Sequence, residues 1–193
     1  MIIAHNTRKE GCSAGRNSAT MSPTCAVDTL CIPLLLSTMF QFLSRWAQRN
    51  LDRLMNFYPP YLGAGIHVTE MDEDMRHIRV EMPLRFYNRN YVGTHYGGSL
   101  YSMCDPFYML MLLHNLGSDY IVWDRKASIE FKKPGRTRVS AEFELTQHRI
   151  DEIRKAADEQ GKTQPDFEIE IVDAAGDVVA VVDKVVYVRR KKR

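Results

Sequence analysis

The chain has 193 residues, of which 45% are hydrophobic and 26% are charged, and its formal net charge is +2. This length suits one domain with a hydrophobic core and is too short for two large domains. The near balance of charge gives no reason to expect nucleic acid as a partner, although the C-terminal sequence VRRKKR is locally basic.

The four cysteines form no CxxC pair and no group with histidines at zinc-ligand spacing. Neither a disulfide framework nor a metal site is therefore predicted. The apolar run from Cys31 to Leu43 is shorter than the about 20 residues of a membrane-spanning helix. Asp28 precedes this run and no small-residue cleavage site follows it. A cytoplasmic protein without stable membrane insertion is expected.

The N-terminal part of the chain divides into two segments. Residues 1–37 are rich in Ser, Thr, Ala and Gly without a sustained period, which predicts a disordered leader. Internal methionines leave open whether the natural start lies downstream. Residues 38–57 carry an apolar stripe at helical spacing, which predicts a helix ended by Tyr58, Pro59 and Pro60. Residues 38–193 are predicted to form a single domain that includes this helix.

Most of the remaining chain alternates with period two, the pattern of half-buried strands. Strands that have one solvent-exposed face and are joined by short turns favour an antiparallel sheet over a βαβ array. The predicted strands are 63–71, 77–85, 126–132, 138–145, 166–172 and 178–188.

The segment Ser99–Leu116 is apolar almost all round, which is typical of a buried helix. It is the only segment long and apolar enough to cover the sheet. A second, peripheral helix is predicted over 151–160, with Gly161 as its C-terminal stop. The fold class is therefore α+β, with a curved antiparallel sheet wrapped around one central helix.

Asp105 is the one carboxylate inside this apolar helix. An ionised carboxylate buried without partners is costly, so Asp105 needs hydrogen bonds, water or a neutral state. Pro106 lacks a backbone N–H and frees the carbonyl of Ser102, which predicts a kink beside the carboxylate. Two interpretations stay open here, because Asp105 can satisfy local backbone groups or serve a reaction.

Gly97 and Gly98 stand where the loop enters the helix. Their unpaired N–H groups and the positive end of the helix dipole suit a developing oxyanion. The alternative is that the glycines only permit a tight loop.

The sequence NYVGTHYGGSLYSMCD, residues 90–105, closely resembles the motif of hotdog-fold acyl-CoA thioesterases. In that motif Asn, Gly-Thr, Gly-Gly and Asp follow one another in this order. The branch is the one typified by the phenylacetate-pathway (PaaI-like) enzymes. The similarity extends from about Leu54 to Arg190, and this wider run looks similar to an uncharacterised bacterial subfamily of that superfamily. The resemblance implies a hotdog fold, which agrees with the sheet and helix predicted above.

The resemblance also implies roles for single residues. Asp105 matches the helix carboxylate that acts as general base or nucleophile. Gly97 matches the residue whose N–H polarises the thioester carbonyl, and Asn90 matches a polar residue that orients the carbonyl or water.

This chain departs from the family motif at two places. The family has His directly before Gly-Gly, whereas here Tyr96 stands there and His95 lies one residue earlier. Asp124 falls approximately where related enzymes carry a hydroxyl that assists water. A second carboxylate there can hold water or make the site unlike theirs.

The spacing between Gly97 and Asp105 predicts a site shared by two copies. Eight helical residues span about 12 Å at about 1.5 Å rise per residue, too far for both to reach one carbonyl carbon. A homodimer with two shared sites is therefore expected, as in the family, and a dimer of dimers is compatible with it.

The predicted function is hydrolysis of a fatty or aromatic acyl-CoA at this shared site, without a metal or a cofactor. Phe107, Tyr108, Met111 and Tyr101 are candidates for an apolar acyl tunnel, and plain core is their alternative. The basic turn formed by Lys132, Lys133, Arg136 and Arg138 is a candidate for binding the CoA phosphates. The alternative is that it is a solvated hairpin tip. The predicted substrate-binding residues are His95, Gly98, Tyr101, Tyr108, Asp124, Lys132, Lys133 and Arg136.

Two other functions stay open. One is a non-catalytic acyl-CoA or lipid-binding protein that keeps the pocket without turnover. The other is an enoyl-CoA hydratase or dehydratase, which needs a histidine beside the carboxylate. His95 is the only histidine of the motif.

Overall fold

The computed structural model of the chain describes residues 50–192. The predicted leader, residues 1–37, and most of the predicted helix 38–57 lie outside these residues. Among the residues that the structure describes, no helix is long and apolar enough to cross a membrane.

Helices and strands alternate in a mixed order along the described chain. The elements are α1 (Leu51–Asn56), α2 (Pro59–Ala64), β1 (His67–Met71), β2 (His77–Met82), α3 (Gly97–Ser102), α4 (Phe107–Leu116), β3 (Tyr120–Phe131), β4 (Val139–Glu144), α5 (Gln147–Gln160), β5 (Lys162–Thr163), β6 (Asp166–Asp173) and β7 (Val178–Arg190).

The strands form one antiparallel sheet, as the alternation predicts. Its order is β1-β2-β4-β6-β7-β3, and β5 pairs with the end of β7. β1 and β3 are therefore the edges of this path, and β7 lies between β6 and β3.

The inner face of the sheet packs on the central helix segments. In β2, Ile78, Val80 and Met82 are fully buried, which confirms the predicted alternation. The ring of Phe107 in α4 lies 4.8 Å, centroid to centroid, from that of Phe143 in β4. Each such buried apolar side chain stabilises the fold by about 1.5–3 kcal/mol.

The peripheral helix α5 begins earlier than predicted and ends where predicted. Thr146 is its N-cap, and the Thr146 hydroxyl accepts a hydrogen bond from the Arg149 N–H. Ile150 and Ile153 bury its apolar stripe. Gly161 adopts the left-handed conformation, with a φ of 76°, and ends the helix.

The Tyr-Pro-Pro sequence does more than end a helix. α1 ends at Asn56, just before it, but Pro59 then opens α2. Proline suits the first turn of a helix, since its missing N–H has no intrahelical partner there. Gly65, with a φ of 71°, ends α2.

Candidate active site

Three charged side chains and a tyrosine meet where the central helix breaks. The ammonium of the fully buried Lys184 lies 3.3 Å from Oδ1 of Asp105 and 2.9 Å from Oδ2 of Asp124. The hydroxyl of Tyr101 donates a 2.6 Å hydrogen bond to the same Oδ1 of Asp105. These four residues are called the carboxylate cluster below. It joins the central helix to β3 and β7.

The break in the central helix positions Asp105. α3 ends at Ser102 and α4 begins at Phe107, so the predicted kink is a four-residue interruption. Pro106 has no N–H to donate, and the N–H of Asp105 reaches the Ser102 carbonyl only over 3.4 Å. The Asp105 side chain is 48% exposed at this break. The carboxylate is therefore both anchored and accessible.

A β-bulge in β3 positions Asp124. Asp124 pairs with Val186 and Lys126 pairs with Val185, so Arg125 is the extra residue. Asp124 lies three residues before Ala127, which faces inward. In a regular strand without a bulge, Asp124 would therefore point to the outer face. The bulge instead leaves Asp124 partly buried and in contact with Lys184.

Asp124 is only half satisfied in this position. Its Oδ2 pairs with Lys184, but its Oδ1 is buried without a hydrogen-bond partner among the described residues. Burial raises the pKa of Asp124 above its ordinary value, and the charge of Asp105 raises it further. The Lys184 ammonium opposes this by favouring the charged form. Asp124 is thus more easily protonated than an exposed aspartate.

The two oxygens of Asp105 have different surroundings. Oδ1 accepts from both Tyr101 and Lys184. Oδ2 has no donor within residues 50–192. Only Oδ2 is therefore free to attack a carbonyl carbon or to take a proton from water.

Two tyrosine hydroxyls at the cluster stay protonated. Burial raises the pKa of Tyr101, and its hydrogen bond to Asp105 raises it further. Burial likewise raises the pKa of Tyr61 in α2, whose hydroxyl is buried without a hydrogen-bond partner in the described part of the chain. Both phenols therefore stay protonated, and that of Tyr101 remains a donor to Asp105.

Six of the other predicted site residues line a separate cleft of about 430 Å³. It lies between the loop before α3 and the turn that follows β3. No member of the carboxylate cluster lines it. Among the predicted residues, those that line the cleft are Asn90, His95, Gly97, Lys132, Lys133 and Arg136.

Gly97 lies at the cleft with a free backbone donor. Its N–H has no hydrogen-bond acceptor among the described residues. A Cβ on Gly97 would lie 2.8 Å from the Cζ of Phe131, so only glycine leaves this ring in place. Gly98 does not line the cleft, and a Cβ there would lie 2.5 Å from the ring of Tyr96.

The carboxamide of Asn90 is used within its own loop. Its oxygen accepts hydrogen bonds from the N–H groups of Val92 and Thr94. Its nitrogen donates to the Thr94 hydroxyl and to the His95 carbonyl. Asn90 therefore shapes the loop that leads to Gly97.

His95 is a buried, neutral histidine. Its Nε2 lies 2.8 Å from the Thr137 carbonyl, which fixes the proton on Nε2. Burial lowers its pKa, and the Thr137 hydrogen bond opposes this. Its Nδ1 is buried without a hydrogen-bond partner in residues 50–192 and can accept a hydrogen bond.

The cations of the basic turn differ in their partners. Lys133 lies 2.8 Å from Asp173 and 2.6 Å from Asp177, and Lys132 lies 2.7 Å from Glu130. Arg136 forms no ion pair with any described residue. Arg136 is thus the cation of the cleft most available to an anion.

A family model described as a domain of unknown function, DUF4442, matches residues 47–188. The chain belongs to the DUF4442 family. No curated protein matches it.

The DUF4442 chain is similar in structure to several solved proteins, some of which are described as thioesterases. One is a Pseudomonas aeruginosa protein of unknown function described as a probable thioesterase, with a TM-score of 0.63, 20% identity and coverage of 77% of this chain and 96% of that one. A Haemophilus influenzae thioesterase has a TM-score of 0.55, 16% identity and coverage of 74% and 90%. The E. coli PaaI protein of the phenylacetic acid degradation operon has a TM-score of 0.52, 21% identity and coverage of 78% and 96%. These likenesses confirm the predicted hotdog fold.

Tyr108 of the DUF4442 chain lies in the core. It is 6% exposed and stacks on Phe167 at 4.0 Å between ring centroids. Phe107 and Met111 are fully buried beside it. The core interpretation of these three residues therefore has more support than the acyl-tunnel interpretation, and of the four candidates only Tyr101 belongs to the carboxylate cluster.

Sequence reasoning missed Lys184. Asp183 and Lys184 are adjacent in a strand flanked on both sides by valines, so alternation alone does not decide which of the two points inward. The sequence signal that could have found it is a lysine at a position that shares its face with Val182 and Val186.

Within residues 50–192, no group of three or more His, Cys, Asp or Glu side chains is arranged to hold a metal ion.

Proposed function

We propose that this DUF4442 protein is an acyl-CoA thioesterase that hydrolyses fatty or aromatic acyl-CoA at sites shared between two subunits. The observation that carries this proposal is the carboxylate of Asp105, which has one anchored oxygen and one free oxygen. The free N–H of Gly97 supplies the matching donor for a carbonyl oxygen.

The proposed reaction uses both groups, and it can follow one of two routes. The thioester carbonyl oxygen accepts a hydrogen bond from the Gly97 N–H, which makes the carbonyl carbon more electrophilic. Oδ2 of Asp105 then takes a proton from water as the water oxygen attacks this carbon, or Oδ2 attacks the carbon itself. The C–S bond breaks and CoA leaves as the thiolate, which in the first route takes up the proton held by Asp105 and so regenerates the carboxylate. In the second route, water cleaves the resulting anhydride and regenerates the carboxylate.

A second subunit is needed to bring Gly97 and Asp105 together. The cleft at Gly97 contains no member of the carboxylate cluster, in keeping with the helical spacing of the two residues. The loop beside the cleft exposes Tyr91 and Tyr96, and edge strand β3 exposes Trp123. Exposed aromatic side chains of this kind are typical of contact surfaces. They support a homodimer in which each cleft faces the partner's carboxylate.

The CoA end of the substrate is assigned to the basic turn. The nucleotide of CoA carries phosphates, and Arg136 offers a guanidinium at the cleft that forms no ion pair with any described residue. Lys132 and Lys133 already hold carboxylates and contribute less. The acyl group then extends from the cleft toward the partner's cluster.

The test is release of free CoA from a panel of short, long and aromatic acyl-CoAs. The wild-type protein should release CoA, and Asp105→Asn should lower the rate by orders of magnitude with little change in substrate affinity. Asp183→Asn is the matched control, because Asp183 is exposed on β7 next to Lys184. Equal rates for the wild type and Asp105→Asn would contradict the mechanism.

A non-catalytic acyl-CoA-binding protein is the second candidate. It is favoured by Asn90, whose carboxamide is fully used within its loop and has no group left for the substrate. Binding of acyl-CoA without CoA release by the wild type would establish this function. The hydratase alternative has less support, since His95 lies at the cleft and donates to Thr137.

A further inference from the structure

Lys184 interrupts an apolar face of β7. Val182, Val186 and Val188 share this face and are fully buried, and so is Lys184. A buried ion pair is often no more stabilising than apolar side chains of similar volume. A valine or methionine at position 184 would extend the core, so fold stability does not account for a lysine here.

The charged and titratable groups around Asp105 come from several elements. Tyr101 approaches from α3, Lys184 from β7 and Asp124 from β3. Cys104 precedes Asp105 in the helix break and is fully buried. Of these groups, only Tyr101 and Lys184 donate to Asp105.

The two donors meet one oxygen from different elements. A single donor would leave the carboxylate free to rotate about its Cβ–Cγ bond. Donors from α3 and β7 together hold Oδ1, and so fix the direction in which Oδ2 points. Asp124 holds the lysine in turn, because its Oδ2 lies closer to Nζ than Oδ1 of Asp105 does.

We propose that Lys184 is the positioning residue of the site, which aims Oδ2 of Asp105 at the thioester carbon while Asp124 holds Lys184 in place. This inference rests on the proposed thioesterase function. Lys184 itself does not contact the substrate, since it is fully buried behind the two carboxylates.

The first test compares Lys184→Met with Lys126→Met. Methionine keeps most of the volume of the lysine side chain and removes the donor. Lys126 lies exposed on the neighbouring strand β3 and provides the same chemical change outside the cluster. Lys184→Met should lower kcat by roughly a hundredfold with KM within about twofold, because misplacing a reacting group by about 1 Å has an effect of this size. Lys126→Met should match the wild type.

A double variant guards against misfolding. Lys184→Met alone leaves Asp124 without its partner, whereas Lys184→Met with Asp124→Asn removes both charges of the pair. The proposal expects kcat of the folded double variant to stay low. A wild-type kcat in either folded variant would overturn it.

A crystal structure of Lys184→Met provides a readout that does not need turnover. The proposal expects the Asp105 carboxylate to rotate or to occupy more than one conformation. An unchanged Asp105 would overturn the proposal even if the wild type is an active thioesterase. Absence of CoA release by the wild type would instead overturn the proposed function, and the two failures are thereby distinguished.

Discussion

Lys184, which is fully buried, and Asp124, which is partly buried, form an ion pair in which only one carboxylate oxygen is satisfied. The ammonium lies 2.9 Å from Oδ2, while Oδ1 is buried without a partner among the described residues. A proton on Oδ1 would remove the mismatch between burial and charge. The protonation state of Asp124 is therefore coupled to the stability of the fold.

This coupling predicts a pH dependence for Asp124→Asn. Burial raises the folded-state pKa of Asp124 above its unfolded value of about 3.9, so the folded state binds a proton that the unfolded state releases. The stability that Asp124 contributes is therefore fully present below its unfolded pKa and is lost as the pH rises through the folded pKa. Urea unfolding between about pH 4 and pH 8 should show the wild type losing stability relative to Asp124→Asn. A wild type that instead gained stability relative to Asp124→Asn as the pH rises would contradict the raised pKa.

His95→Gln should show the opposite trend. Burial lowers the pKa of His95 in the folded state, whereas in the unfolded chain the pKa is about 6.5. Its contribution is present above the unfolded pKa and is lost as the pH falls through the folded pKa, since only the unfolded chain takes up the proton. Unfolding free energies from about pH 7.5 to pH 5 should show the wild type losing its advantage over His95→Gln. His148→Gln, which makes the same change at an exposed histidine of α5, is the matched control.

Gly97→Ala should impair turnover more than stability. The new Cβ meets the far end of the Phe131 ring, which is 56% exposed and can move aside. The displaced ring should then block access to the Gly97 N–H, and CoA release should fall by about a hundredfold or more, the order of effect of losing one oxyanion donor. Gly63→Ala, where a Cβ meets nothing within 4 Å, should leave turnover unchanged. A fully active Gly97→Ala would remove Gly97 from the mechanism.

Arg136→Gln should weaken recognition of the nucleotide end of CoA. Arg136 has no ion pair to lose within the described residues, so its removal should not destabilise the fold. KM for acyl-CoA should rise several-fold, while KM for the matching acyl-pantetheine, which lacks the nucleotide phosphates, should not change. Lys132→Gln is the comparison, because Lys132 is already paired with Glu130 and should have a smaller effect. Equal changes for both substrates would place Arg136 away from the phosphates.

The sequence was sufficient where a local pattern had one physical solution. The alternation in β2 placed Ile78, Val80 and Met82 together on the buried face, and Pro106 predicted an interruption of the central helix. Gly161 was predictable as the end of α5, because glycine readily adopts the left-handed conformation that it shows there. These features positioned Asp105 and Gly97 correctly on the fold, whereas their roles remain predictions.

Other features depended on contacts between distant segments. Asp183 and Lys184 were equivalent by alternation, and only the carboxylates of other elements decide which one turns inward. The hydrogen bonds of Asn90 depend on the path of its own loop, which no period describes. Pairwise partners of this kind are set by tertiary structure, so the composition of a single segment does not reveal them.

The bulge in β3 means that the length of this strand matters as much as its chemistry. With Arg125 present, Asp124 and Ala127 share the inner face although an odd number of steps separates them. Deleting Arg125 would leave Asp124 and Ala127 two steps apart, so a regular strand without a bulge would hold both on the inner face. A straight strand that kept Arg125 would instead turn Asp124 to solvent and deprive Lys184 of its closer partner. The extra residue is therefore compatible with the cluster only because the backbone bulges around it.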